Sequence, residues 1–273
     1  MPKIAIAEDS ELFYTDQGSG RPIILIHGWP LSHKAWESQI STLVNAGFRV
    51  IAYDRRGFGQ SGAHWKAFDY DALADDLNEL ITQLNLSGVC LVGFSMGGGE
   101  VVRYLSRYGS SKIYKAALVA SIIPLVKQKP DNPDGVPQSV FDEILDSLEN
   151  NRPAFLTGFL KNFYNYTPEN KSVSEEQLQY DWTIAVHASP AATIDAAKAW
   201  MDTDFREEAK KIDVPVLIVH GDSDNTVPIK TSAEQAASLI SNSTLKVYEK
   251  GSHGLNLTHK NQLNQDLIEF FKN

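Results

Sequence analysis

The sequence predicts an α/β fold: a mostly parallel eight-stranded sheet with helices on both faces and an inserted helical cap. Three observations predict it. Short apolar runs without alternation, such as "PIILIHG" and "GVCLVGF", read as strands buried on both faces. From residue 22 to residue 121 such runs alternate with helical patterns, the signature of a parallel sheet. At residue 122 the alternation stops, and strands resume only near residue 213.

In chain order, "KIAIA" and "LFYTDQ" are two opening strands with a turn between them. "GSG" leads into "PIILIHG", and "FRVIAYDRRG" is the fourth strand. "DALADDLNELITQLNL" is a helix, because Leu73, Leu77, Leu80, Ile81 and Leu84 recur at helical spacing. "GVCLVGF" gives way to a helix with Val101, Val102 and Leu105 on one face and Arg103 and Arg107 on the other. "YKAALVAS" is the sixth strand. Four helical segments follow: "SVFDEILDSLENN", "RPAFLTGFLKNFYN", "SEEQLQYDWTIAVHAS" and "PAATIDAAKAWMD". "VPVLIVHGDSD" and "TLKVYEKGSHG" complete the sheet, each followed by a helix. The expected division is a core of residues 1–121 and 213–273 and a helical cap of 122–212. The cap should lie over the carboxyl edge of the sheet, where open α/β sheets bind ligands.

Composition narrows the function classes. The chain has 273 residues, 42% of them hydrophobic, and a net charge of −9. That acidity argues against nucleic acid and anionic membrane as partners, because no basic stripe can neutralise phosphates. The one cysteine, Cys90, lies within an apolar strand, so it reads as a packed thiol and rules out an internal disulfide. The opening residues lack a secretory-signal layout and no apolar run is long enough for a membrane helix, so the expectation is cytoplasmic.

"GFGQSG" (57–62) matches a dinucleotide fingerprint, with Asp75 or Asp76 as the ribose acid. That motif must open a helix at once, and here "AHWKAFDY" intervenes. A glycine-rich loop crossing the sheet edge is the better reading. No metal is expected. There is no H-E-x-x-H, and "DSDNTV" has Val227 where a calcium loop needs glycine.

The chemistry is expected at Ser95, set between Gly93 and Gly97 with Gly98 and Gly99 behind it, on a strand-to-helix turn. G-x-S-x-G in that setting presents the hydroxyl above the sheet at a helix N-terminus. A serine needs a base, a group to orient the base and donors for the oxyanion. His253 is the histidine placed after a late strand and before a new helix; His220 closes its strand and reads as packed, and His259 as a surface residue. Asp222 and Asp224 both follow the seventh strand, and spacing alone does not choose between them. The oxyanion donors should be the backbone N–H groups of Met96, after the nucleophile, and Trp29, in "HGWP". His27 and Gly28 read as loop architecture. The cap is rich in aromatics, and Phe159 and Phe163, with Phe94 beside the nucleophile, are the candidates for lining an apolar substrate pocket.

These motifs together carry a resemblance. "HGWP" (27–30), "DRRGFGQS" (54–61), "GFSMGGGEVVRY" (93–104), "HGDSDNTVP" (220–228) and "GSHG" (251–254) resemble the α/β-hydrolases of the bacterial aryl-esterase and cofactor-free haloperoxidase (perhydrolase) group, nearly end to end. The resemblance implies Asp224 as the acid, His253 as the base, and oxyanion donors at Trp29 and Met96. It implies hydrolysis of carboxylic esters through an acyl-enzyme without a cofactor. It also implies perhydrolysis, in which hydrogen peroxide takes the acyl group. A lactonase or amidase on the same triad and a non-catalytic ligand-binding relative are the alternatives. A homo-oligomer is left open.

Overall fold

The structure is a computed structural model and describes residues 2–7, 10–62 and 67–273. The strands are β1 (Lys3–Ala7), β2 (Ser10–Gly18), β3 (Pro22–Ile26), β4 (Arg49–Tyr53), β5 (Val89–Phe94), β6 (Ile113–Val119), β7 (Val216–Gly221) and β8 (Ser243–Tyr248). They form one sheet in the order β1-β2-β4-β3-β5-β6-β7-β8. β2 runs antiparallel to both β1 and β4, and every other pairing is parallel. The helices are α1 (Glu37–Asn45), α2 (Tyr70–Gln83), α3 (Gly97–Tyr108), α4 (Gln138–Phe163), α5 (Glu175–Val186), α6 (Pro190–Asp202), α7 (Arg206–Ala209), α8 (Ala233–Leu239), α9 (Leu255–Thr258) and α10 (Lys260–Lys272). Of the turn expected at residues 8–11, residues 8 and 9 lie outside the described residues, as do residues 63–66 of "AHWKAFDY", and residues 10 and 11 already belong to β2.

Each central strand feeds two cores, because successive side chains leave opposite faces. Ile24, Ile26, Leu91, Leu118 and Ile218 enter one cluster, with Leu73, Leu77 and Leu80 of α2 and Val101, Val102 and Leu105 of α3. Ile23, Leu25, Val92, Val119 and Leu217 enter the other, with Ile40 and Leu43 of α1 and Leu263 and Leu267 of α10. This is why the strands read as continuous apolar runs. Cys90 is fully buried in the second cluster, and burial pushes its thiol up to about 12.

α4, α5 and α6 follow one another between β6 and β7. α4 contains a break at Asn151, whose φ of −155° and ψ of 72° leave the helical region. The Asn151 side chain then accepts from the N–H of Ala154 at 3.2 Å, an N-cap for the second half. Two helical segments meeting near residue 151 is what the sequence pattern gives. Pro153 sits in the first turn of the second half, where its missing N–H costs nothing.

β3 lies between β4 and β5. The chain moves outward from β3 to β4 and then returns to the other side at β5. That reversal opens a crevice at the carboxyl ends of β3 and β5, the usual ligand position in such sheets. "HGWP" leaves the end of β3, and Ser95 leaves the end of β5.

Glycines set how closely α3 returns onto the sheet. A methyl group at Gly93 would lie 2.5 Å from the Gly97 carbonyl oxygen, and one at Gly97 would lie 2.6 Å from that of Ile26. Both obstacles are backbone, which cannot step aside as a side chain can. Gly93→Ala should therefore lower unfolding free energy by about 3 kcal/mol, the upper end of the range for overpacking. Gly158→Ala is the opposite case: it lies in α4 with nothing near the added methyl. It should gain up to about 1 kcal/mol from helix propensity. Urea midpoints at constant slope measure both changes, and a destabilised Gly158 variant would contradict the packing described.

Candidate active site

Ser95 carries the strain of the site. Its φ is +52°, a left-handed value that costs an L-residue roughly 1–3 kcal/mol and persists only where the surroundings impose it. They do so here. The Ser95 N–H donates to the Val119 carbonyl at 2.9 Å, extending the β5–β6 pairing by one residue. Its carbonyl accepts from Gly98 N–H at 3.0 Å, the first turn of α3. The chain leaves a strand and enters a helix within one residue, with the serine at the apex.

The hydroxyl meets a relay. Ser95 Oγ lies 2.9 Å from His253 Nε2, and His253 Nδ1 lies 2.7 Å from Asp224 Oδ2. Asp224 Oδ1 accepts the N–H groups of Thr226 at 2.9 Å and Val227 at 2.8 Å. Burial pushes the Asp224 carboxyl up. The charge of His253 and the hydrogen bonds from His220 and His253 outweigh it and hold the group well below the usual carboxylate range. The acid is a fixed carboxylate, so Nδ1 keeps its proton and Nε2 presents its lone pair to the serine. Asp222, the other aspartate left open by spacing, accepts among the described residues only from its neighbour Ser223 Oγ at 2.8 Å, and that contact is exposed.

Two glycines bring the acid and histidine loops together. A methyl at Gly221 would lie 2.0 Å from the Gly251 carbonyl oxygen. Across this contact Ser223 N–H donates to that carbonyl at 3.1 Å. β7 and β8 are paired up to Gly221 and Tyr248, so both loops leave neighbouring strands at the same height.

The sequence-predicted oxyanion donors sit at the same crevice. Gly28 packs against the nucleophile, since a methyl there would lie 3.1 Å from Ser95 Cβ. Among the described residues, neither the Trp29 nor the Met96 N–H donates to a protein acceptor. Met96 is further fixed by Tyr70, whose hydroxyl donates to its carbonyl at 3.1 Å.

Aromatic rings enclose the imidazole. Phe163 meets the His253 ring edge-on at 4.9 Å, and Phe94 lies 5.3 Å from it at a tilt. Both phenylalanines are fully buried, so they hold the plane of the histidine. Phe159 is half-buried and packs edge-on against the Trp29 indole at 5.2 Å. Of the three candidate pocket rings it has the most surface free. The Trp29 ring is fixed in turn by its Nε1, which donates to the Thr193 carbonyl of α6 at 2.8 Å.

The "DRRGFGQS" loop forms a polar network behind the site. Arg55 is buried and paired with Glu100 in the first turn of α3, donating from Nε at 2.7 Å. The same guanidinium donates from Nη2 to the His27 carbonyl at 2.7 Å. His27 Nε2 accepts the Arg55 N–H at 3.0 Å, and its Nδ1 lies 2.9 Å from the Gly28 carbonyl. Burial, reinforced by the Arg55 charge, pushes the His27 imidazole down to about 3, so it stays neutral. The glycines of this loop turn about Asp54, which accepts from Gln60 N–H at 2.8 Å and His33 N–H at 2.7 Å. Among the described residues, no helix opens at this loop before α2 at Tyr70. Asp76, one of the two candidate ribose acids, is buried in an ion pair with Arg56.

Sequence reasoning missed three contributors: Arg55 and Glu100, which it did not single out, and His220, which it read as packed. His220 Nε2 lies 3.2 Å from Asp224 Oδ2. The four-residue spacing in "HGDSD" is the only signal that could have found it. Among the described residues there is no group of three His, Cys, Asp or Glu side chains that could hold a metal.

Comparison with known proteins agrees with this architecture. Residues 21–260 match the family model described as alpha/beta hydrolase fold. The chain is 41% identical to a non-heme haloperoxidase of Rhodococcus erythropolis, covering 100% of both chains. It is 37% identical to a bifunctional esterase/perhydrolase of Acinetobacter calcoaceticus, again over 100% of both. The crystal structure of a bromoperoxidase from Bacillus anthracis superposes with a TM-score of 0.94 at 44% identity, covering 97% of this chain and 96% of the other. The chain belongs to the α/β-hydrolase fold family.

Proposed function

We propose that this protein is a serine hydrolase that cleaves carboxylic esters through an acyl-enzyme, and that hydrogen peroxide can replace water in the second half of the cycle. One observation carries the reading: Ser95, His253 and Asp224 form an unbroken chain of short contacts, with the serine on a strained turn at a helix N-terminus. The relatives named as esterase/perhydrolase and haloperoxidase support it.

In this reading Ser95 Oγ attacks the ester carbonyl while His253 Nε2 takes the hydroxyl proton. The oxyanion accepts the N–H groups of Trp29 and Met96. His253 then returns the proton to the departing alkoxide, leaving the acyl group on Ser95. A water molecule, deprotonated by His253, attacks the acyl carbon and releases the acid. Hydrogen peroxide entering by the same path releases a peracid. Phe159, with Phe94 and Phe163 behind it, forms the apolar side of the substrate pocket. The partners are a small-molecule ester and, for perhydrolysis, peroxide; neither nucleic acid nor membrane has a part.

Among the described residues no helix is long and apolar enough to cross a membrane. We place the protein in the cytoplasm, where one buried thiol and no disulfide suit a reducing medium.

Ser95→Ala should keep the fold and lower kcat for p-nitrophenyl acetate by roughly six orders of magnitude, as loss of the nucleophile does when a triad acts as a unit. One equivalent of a serine-directed phosphonate should label the wild type and abolish turnover. A variant keeping a tenth of wild-type turnover would overturn the assignment.

Asp224→Asn should cost about 10⁴ in kcat, because the imidazole loses the group that sets its tautomer and stabilises its cation. Asp222→Asn should stay within a few-fold of wild type, since that carboxylate is exposed and, among the described residues, makes no hydrogen bond or ion pair with the imidazole. If the two effects were exchanged, Asp222 would be the acid.

A further inference from the structure

His220 is a buried imidazole that the reaction as described leaves without a role. It is fully buried at the end of β7, one turn of chain before the acid. Its Nε2 lies 2.9 Å from the Val227 carbonyl and 3.2 Å from Asp224 Oδ2. A carbonyl can only accept, so Nε2 carries the proton. The neighbouring carboxylate is then within reach of the same N–H. Nδ1 is buried and has no hydrogen-bond partner among the described residues. His220 is therefore a fixed donor through Nε2, held by the Val227 carbonyl beside the carboxylate.

Its position explains how the acid is held. Asp224 Oδ1 is satisfied by two backbone N–H groups of its own loop. Oδ2 accepts from His253 Nδ1 at 2.7 Å and has His220 Nε2 at 3.2 Å on its other side. Among the described residues, Oδ2 without His220 would keep the His253 imidazole as its one side-chain contact. The ionisable groups at His220 are Asp224, on the loop its own strand feeds, and His253, across the carboxylate on the loop after β8. From β6 the backbone beside it is Val119 and Ala120, which bring no charge.

We propose that His220 is a positioning residue for the hydrolase reaction: it shares Asp224 Oδ2 with His253, fixing the carboxylate's orientation and limiting the charge it lends to the imidazolium. This rests on the serine hydrolase reading above. Two effects of removing it follow. The acid loses a fixed orientation, so the His253 ring it holds is less constantly aligned with Ser95 Oγ and kcat falls. The charge on Oδ2 is less divided, so the imidazolium is held more tightly and the base becomes free only at higher pH.

The test compares wild type with His220→Leu and His220→Gln, the second keeping an N–H donor at the place of Nε2. Ester turnover is followed across the pH range. For His220→Leu, kcat should fall about ten- to a hundredfold, the range for one hydrogen bond to a charged group, with KM unchanged. The acid limb of its kcat/KM profile should move to higher pH. For His220→Gln, kcat should return to within a few-fold of wild type and the limb should move back. In an Asp224→Asn background, His220→Leu should cost less than threefold, because its effect passes through the carboxylate.

Three results would overturn the proposal: a His220→Leu variant with wild-type kcat and profile, a glutamine variant as impaired as leucine, or equal losses with and without Asp224. If the leucine variant does not fold, the glutamine variant decides alone: folded protein with a wild-type profile supports the role, and folded protein lacking turnover removes it. Phosphonate labelling of wild-type Ser95 keeps the two readings apart. Label without a His220 effect ends only this proposal, and failure to label ends the hydrolase reading itself.

Discussion

The close return of α3 onto the sheet is the constraint on which the rest of the site depends. Ser95 can hold a left-handed φ only because the backbone on either side is locked: before it by pairing with β6, after it by the first turn of the helix. Gly93 and Gly97 let those two backbones approach to a distance that any side chain would prevent. The strain is local, a kcal/mol or two, and burial of the strands and of the α3 face against both cores sustains it. The same approach leaves Met96 at the helix start, directly after Ser95. In the proposed reading, nucleophile and one oxyanion donor thus come from a single backbone decision.

In that reading the second donor, Trp29, follows a different strand, so something must hold two loops in fixed relation. Arg55 does this. Its guanidinium joins Glu100, one turn into the nucleophile helix, to the carbonyl of His27, two residues before Trp29. A buried ion pair contributes little net stability, because desolvating both charges offsets much of their attraction. Its value here is geometric. An apolar replacement could fill the volume but could not fix the direction of the His27 carbonyl, and with it the course of the "HGWP" loop. His27 must stay neutral for this arrangement, since its Nε2 accepts the Arg55 N–H. Burial and the adjacent guanidinium ensure that it does.

Much of this was legible in the sequence. The eight strands announce themselves because each central strand is apolar on both faces, and the G-x-S-x-G turn because its glycines have no other use at a strand end. His253 could be singled out by its place after the last strand. The choice between Asp222 and Asp224 could not be read from spacing, since both sit on one short turn and only the fold of that turn decides which carboxylate faces inward. The turn folds around Asp224 because its own N–H groups, at Thr226 and Val227, converge on Oδ1. The Arg55–Glu100 pair was not legible either. The two residues are far apart in sequence, and a charged residue in an α/β loop reads by default as solvent-facing. Burial of a charge is a tertiary property, and its partner is visible only when the chain is folded.

The aromatic shell completes the logic of the site. An imidazole that passes a proton between Ser95 and an ester needs freedom from competing hydrogen bonds and a constant plane. Phe94 and Phe163 supply both, since they press on the ring without offering a donor or acceptor. Phe163 ends α4, and its carbonyl accepts the N–H of Gly254, the residue after the histidine, at 3.0 Å. Gly254 in turn lies so close to the Tyr164 ring that a methyl there would be 2.1 Å from it. The helical insertion is therefore fastened to the catalytic loop by main chain as well as by rings. A shift of α4 would carry the Phe163 ring and the Gly254 backbone together. In the proposed reading, the apolar side of the substrate pocket and the alignment of the base share this contact, which ties the choice of substrate to the competence of the relay.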